Sequence, residues 1–227
     1  MADNDKSLVS RGADRFLSEV ARHPPARTDA VRARLVFAMD ATLSRQPTWD
    51  RACQIQGDMF ESTRTLGGLS VQLCYFRGFN EFHASPWCDD PARLRGEMSA
   101  VTCRGGYTQI ARMLRHIAAE AANAKAAVFV GDAMEEDPDE LCHLAGQLGL
   151  RNVKLFVFQE GADPAVAQTF MQMASLSGGA YAPFNTNSAS QLRDLLSAAA
   201  VYAAGGSAAL SRLIQSDDIK LLTRQVR

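Results

Sequence analysis

Short apolar runs alternate with stretches of helical spacing along most of this chain, and that alternation constrains the fold more than any other feature. Leu35 to Met39, Leu69 to Phe76, Ala126 to Val130, Val153 to Phe158 and Ala180 to Phe184 are brief and almost wholly apolar. Such runs make strands covered on both faces, as in a parallel sheet, rather than half-exposed strands with alternating polarity. Between them lie helical stretches. One covers 47–65, with Pro47 in its first turn; a second starts at Asp89-Asp90-Pro91 and ends before Cys103. A third opens at Thr108 and sets Ile110, Met113, Leu114, Ile117 and Ala121 on one face. Others cover 138–148 and 164–177, and a last one starts near Ala189. Arg77-Gly78 reads as a tight turn from which Phe79 to His83 returns as a short antiparallel partner. The expected fold is α/β: a doubly wound, mainly parallel, Rossmann-like sheet with one short antiparallel edge strand and helices on both faces.

The chain divides into an N-terminal helical lead-in (1–30), a main domain (31–204), and a C-terminal helix and tail (205–227). The lead-in contains an amphipathic helix over 6–22, ended by His23-Pro24-Pro25. In the last segment, Ala209, Leu210, Leu213 and Ile214 form an apolar stripe ahead of a charged tail carrying Ile219, Leu221 and Leu222. At 227 residues, 47% hydrophobic and 22% charged, the chain has the means to build one full core. With 24 basic and 25 acidic side chains its net charge is −1, so it lacks the basic signature of nucleic-acid or anionic-membrane binding. The polar start shows no secretory leader. The uncharged run Leu195 to Ser211 is too short and too broken, at Gly205-Gly206, to span a bilayer. The five cysteines, Cys53, Cys74, Cys88, Cys103 and Cys142, are odd in number and form no CxxC pair. They read as reduced intracellular thiols, and the expected location is cytoplasmic.

In an open parallel sheet, ligands bind beyond the carboxyl ends of the strands. There the first strand delivers Asp40-Ala41-Thr42-Leu43-Ser44, one carboxylate and two hydroxyls on alternate residues. Cys103-Arg104-Gly105-Gly106-Tyr107-Thr108 brings a third hydroxyl after two glycines, and Val130-Gly131-Asp132 ends in a second carboxylate. Five oxygen donors with only two formal charges suit magnesium or manganese and leave the metal ready to accept a carboxylate from elsewhere.

Asp40-x-Thr42-x-Ser44, Thr108 after a double glycine, and Asp132 after an apolar strand resemble the metal-ion-dependent adhesion site of the von Willebrand factor A domain family. The resemblance covers roughly 31–204. It implies Mg2+ (or Mn2+) touched by Thr42, Ser44 and Thr108, with Asp40 and Asp132 acting largely through water. It also implies a protein partner whose Asp or Glu completes the shell. The chain departs from the family pattern at four points. Thr42 stands where Ser is usual, Tyr107 separates the glycines from Thr108, and Gly131-Asp132-Ala133 replaces Thr-Asp-Gly. Arg45 stands where a small or apolar residue is frequent; it either presents a cation or attracts an internal carboxylate.

Other readings of the same residues remain open. Ser44 and Thr108 are also good helix caps. Asp137, Pro138, Asp139 and Glu140, within the acidic run from Glu135, complement a helix start. His83, His116 and His143 share no spacing, and Trp49 and Trp87 read as anchors. The leading function is a metal-dependent protein-interaction module rather than an enzyme, with a metal-free scaffold of the same fold as the alternative. A phosphatase using Asp40 lacks the second Asp that chemistry needs two residues on, because Thr42 stands there.

Overall fold

The computed structural model describes residues 32–185, 188–213 and 216–226. The lead-in helix expected over 6–22 and residue Ile214 lie outside the described residues. Six strands form one sheet: β1 (Ala33–Asp40), β2 (Leu69–Arg77), β3 (Glu81–Ala84), β4 (Ala126–Gly131), β5 (Lys154–Glu160) and β6 (Ala180–Phe184), in the order β3-β2-β1-β4-β5-β6. All pairings are parallel except β2 with β3, which turn back through Gly78 at φ 60°. The sheet class is the one the apolar runs predict, and the antiparallel edge strand expected over Phe79 to His83 is present as Glu81–Ala84, with Phe79 left in the turn.

Successive side chains of the central strands enter opposite layers. Leu35, Phe37 and Met39 of β1 join Val128, Val130, Phe156 and Phe158 on one face; Val36 and Ala38 join Ala127, Phe129, Leu155 and Val157 on the other. The first face is covered by α1 (Gln46–Ile55), α2 (Gly57–Thr63), α3 (Pro91–Ser99), α7 (Ala189–Arg212) and α8 (Asp217–Gln225). The second is covered by α4 (Ile110–Ala119), α5 (Pro138–Leu150) and α6 (Pro164–Ser177). Trp49 anchors the first layer, fully buried, with its indole N–H donating to the Met98 carbonyl at 2.9 Å.

Three helices start by one device. Asp90, Asp137 and Asp163 each accept two backbone N–H groups of the first turn, with proline following at the first helical position. The single helix expected over 47–65 is instead α1, α2 and a 3-10 turn at Arg64–Leu66. Gly57, a poor helix former, stands at the α1–α2 break. The C-terminal segment docks. Gly206 (φ 65°, ψ −164°) kinks α7, and α8 buries Ile219 and Leu222. The Gln225 side chain accepts the Tyr181 N–H at 2.9 Å and donates to the Tyr181 carbonyl at 3.0 Å, covering part of edge strand β6. Among the described residues, no helix is long and apolar enough to cross a membrane.

None of the cysteines is in a disulfide. Cys74, Cys88 and Cys103 are buried, and burial raises their thiol pKa values, that of Cys103 to about 11. Burial raises the Cys142 thiol too, but Cys53 and Cys142 are partly exposed, so a colorimetric disulfide reagent is expected to label these two in the native protein. In denaturant all five react. Rapid native labelling of a third thiol would contradict this packing.

Candidate functional site

β1 lies between β2 and β4, with Met39 in register with Val130. Asp40 and Asp132 therefore leave the sheet side by side at its carboxyl edge. Asp40 is almost fully buried. Its Oδ1 accepts the Thr42 N–H at 2.7 Å, while Oδ2 is buried with no hydrogen-bond partner. Burial is the main cause of a pKa raised to about 6, helped by the Asp132 charge and opposed by the bonds from Thr42 and by Arg45. A buried carboxylate oxygen without a donor is costly unless something cationic satisfies it.

Thr42 is extended (φ −69°, ψ 164°) and its side chain caps nothing. Ser44 sits in a 3-10 turn, Leu43–Arg45, and donates to Asp132 Oδ2 at 3.3 Å. It does not cap α1, whose N-cap position is Arg45 without a side-chain bond. Thr108 does not open α4 either: that helix starts at Ile110. The Thr108 hydroxyl instead donates to Glu136 and accepts the Glu135 N–H at 3.0 Å, and the Thr108 N–H donates to the Glu135 carboxylate. Glu136 also accepts the Ala111 N–H at 3.2 Å, so it caps α4 from a different loop. Of the acidic run, Asp137, Pro138, Asp139 and Glu140 form the start of α5, whereas Glu135 and Glu136 turn toward Thr108.

Asp40, Thr42, Ser44, Thr108 and Asp132 all line one open cleft of about 250 Å³, joined by Leu43, Gly105, Gly106 and Glu135. Gly106 is held to glycine by close approach, since a Cβ there would lie 1.9 Å from the Gly78 carbonyl oxygen. The loop is tied on both sides: Arg104 N–H donates to Ala41 at 3.0 Å and Tyr107 N–H to Gly78 at 3.2 Å.

Arg45 is the largest feature that spacing alone did not place. It is buried, with Nη2 2.9 Å from Asp132 Oδ2 and Nη1 paired to Glu160, which also accepts from the Thr48 hydroxyl. Glu160 ends β5 as Asp40 ends β1, so a survey of strand-end carboxylates finds it. Arg45 places its cation against Asp132 beside the cleft, and the internal carboxylate it holds, Glu160, is not among the residues that line the cleft.

The donor set fits a hard divalent cation. Asp40 Oδ2 lacks a partner, and the Thr108 oxygen, after one bond given and one received, retains a lone pair. Arg45 competes for Asp132. Among the described residues, no group of three or more His, Cys, Asp or Glu side chains is arranged to hold a metal ion. The set just described draws three of its five donors from hydroxyls.

No protein-family model and no curated protein matches this sequence. Solved structures do match the fold. The VWA domain of SpRpn10 aligns with a TM-score of 0.55 at 17% identity, over 74% of this chain and 93% of that one. Proximal thread matrix protein 1 from the mussel byssus aligns with a TM-score of 0.54 at 18% identity, over 77% of this chain and 48% of that one. With a six-stranded sheet of order 3-2-1-4-5-6, one antiparallel edge strand and helices on both faces, the chain has a von Willebrand factor A-like fold.

Proposed function

We propose that this chain is a protein-interaction module that holds Mg2+ or Mn2+ at the sheet edge and captures an Asp or Glu of a partner. The observation that carries the reading is the partnerless, buried Oδ2 of Asp40, set among three hydroxyls and a second aspartate in one cleft. Thr42, Ser44 and Thr108 would contact the ion directly. Asp40 and Asp132 would act largely through water, and Glu136 would keep the Thr108 hydroxyl proton turned away. The ion, when bound, supplies a Lewis-acidic position for an external carboxylate. No bond is made or broken, so the module is a binder and not an enzyme.

One observation favours a second reading. Arg45 already gives Asp132 a cationic partner at 2.9 Å, as a scaffold that works without metal would. Manganese separates the two. Titrating Mn2+ into the metal-free protein and following free Mn2+ by electron paramagnetic resonance should show about one ion bound per chain, and none in Asp40→Ala. Equal free Mn2+ in both proteins would leave the metal-free scaffold.

A further inference from the structure

We infer that Leu43, Phe79 and Tyr107 form an apolar platform beside the cleft that receives a bulky apolar side chain next to the partner's anchoring carboxylate. The inference rests on the cation reading for its anchor but on different residues for its platform. Large apolar side chains normally withdraw from water, yet these three are 67%, 77% and 60% exposed. Phe79 and Tyr107 are the exposed aromatic residues among those described, and their rings meet edge to face at 5.5 Å. Phe79 and Tyr107 come from separate stretches of chain that the fold brings into ring contact, and Leu43 lines the cleft together with Gly105 and Gly106, the residues just before Tyr107. Leu43 follows β1 and lines the cleft, Phe79 is at the β2–β3 turn, and Tyr107 follows the two cleft glycines.

The platform is preorganised. The bonds from Arg104 to Ala41 and from Tyr107 to Gly78 lock the glycine loop between its neighbours, and Gly106 packs against the Gly78 carbonyl. Tyr107, the residue standing between the glycines and Thr108, is thereby turned outward onto Phe79. A rigid aromatic pair contributes contact area at small entropic cost, the property that makes such residues binding hot spots.

Charge selects the class of occupant. Asp40, Asp132 and Glu135 line the cleft, so an anionic membrane is repelled and a carboxylate enters only with a cation between. The occupant is a protein segment in which Asp or Glu is followed or preceded by Leu, Phe or a similar side chain.

Short synthetic peptides with a central Asp or Glu, flanked by Ser on one set and by Leu or Phe on another, test this on the full chain. In millimolar Mg2+ the apolar-flanked set should bind roughly tenfold or more tightly than the Ser-flanked set. The combined Phe79→Ser, Tyr107→Ser variant, which leaves the cleft lining untouched, should lose most of that preference while keeping its melting temperature in EDTA and its response to Mg2+. Tyr107→Ser alone should lose part of it. Equal binding of both peptide sets to a wild-type chain that still responds to Mg2+ would overturn the platform and leave the cation reading intact. A preference that persists in EDTA and vanishes in the Phe79→Ser, Tyr107→Ser variant would keep the platform and overturn the cation anchor.

Discussion

In the absence of divalent metal, raising the pH from about 3.5 to 7 will weaken the wild-type fold relative to Asp40→Asn by about 2–3 kcal/mol. The folded chain holds the Asp40 proton up to a pKa of about 6, against an ordinary value of 3.8. Between those values the folded state keeps a proton that the unfolded state has released. The stability this confers is present at low pH and is lost as pH rises through about 6. Asp40→Asn cannot titrate, yet its side-chain oxygen can still accept the Thr42 N–H, so the pH trend of the difference isolates the carboxylate whatever the fixed cost of an amide there. Parallel unfolding midpoints for the two proteins across that pH range would show that Asp40 is ionised without penalty. Saturating Mg2+ should flatten or reverse the trend, because a cation favours the ionised form.

The second large effect belongs to Arg45. Its guanidinium is buried between Asp132 and Glu160, and Glu160 is itself buried. Arg45→Ala removes a buried cation that bridges the two carboxylates, which should cost about 3–5 kcal/mol. Glu160→Gln in the same chain should restore much of that loss, because the buried charge is then gone. Chemical denaturation of the single and double variants measures the coupling. Additive losses in the double variant would show that the two side chains do not act as a pair. Arg45→Ala also frees Asp132 from its internal cation, so metal affinity should rise even as stability falls. A merely structural arginine would not produce that split.

Local spacing exposed much of this architecture because the relevant signals are local. The apolar runs carry both layers of the core in alternate residues, and three Asp-Pro pairs mark three helix starts. Asp40, Thr42 and Ser44 alternate within one loop, so their convergence needs no tertiary information. Their meeting with Thr108 and Asp132 follows from strand order. Pairings between distant elements were not legible in this way. Arg45 and Glu160 are 115 positions apart, and nothing near either residue names the other. Glu135 and Glu136 belong to a run whose remainder is ordinary helix-start chemistry, which hid their turn toward Thr108. Gln225 covers the edge strand through a side-chain amide that looks like any surface glutamine. The split of α1 from α2 depends on Gly57 at the break, a weak signal in an otherwise helical stretch.

Thermal melting with and without metal, on wild type, Asp40→Ala and Asp132→Ala, tests the central claim most directly. A ligand that binds only the folded state stabilises it by RT ln(1 + [L]/Kd), about 2.7 kcal/mol at a hundredfold excess over Kd. In a chain of this size that corresponds to a rise of roughly 5–10 °C. Such a rise is expected for the wild type in millimolar Mg2+ or Mn2+ relative to EDTA, and little or none for either variant. A wild-type midpoint that ignores both metals, in step with the two variants, would contradict it.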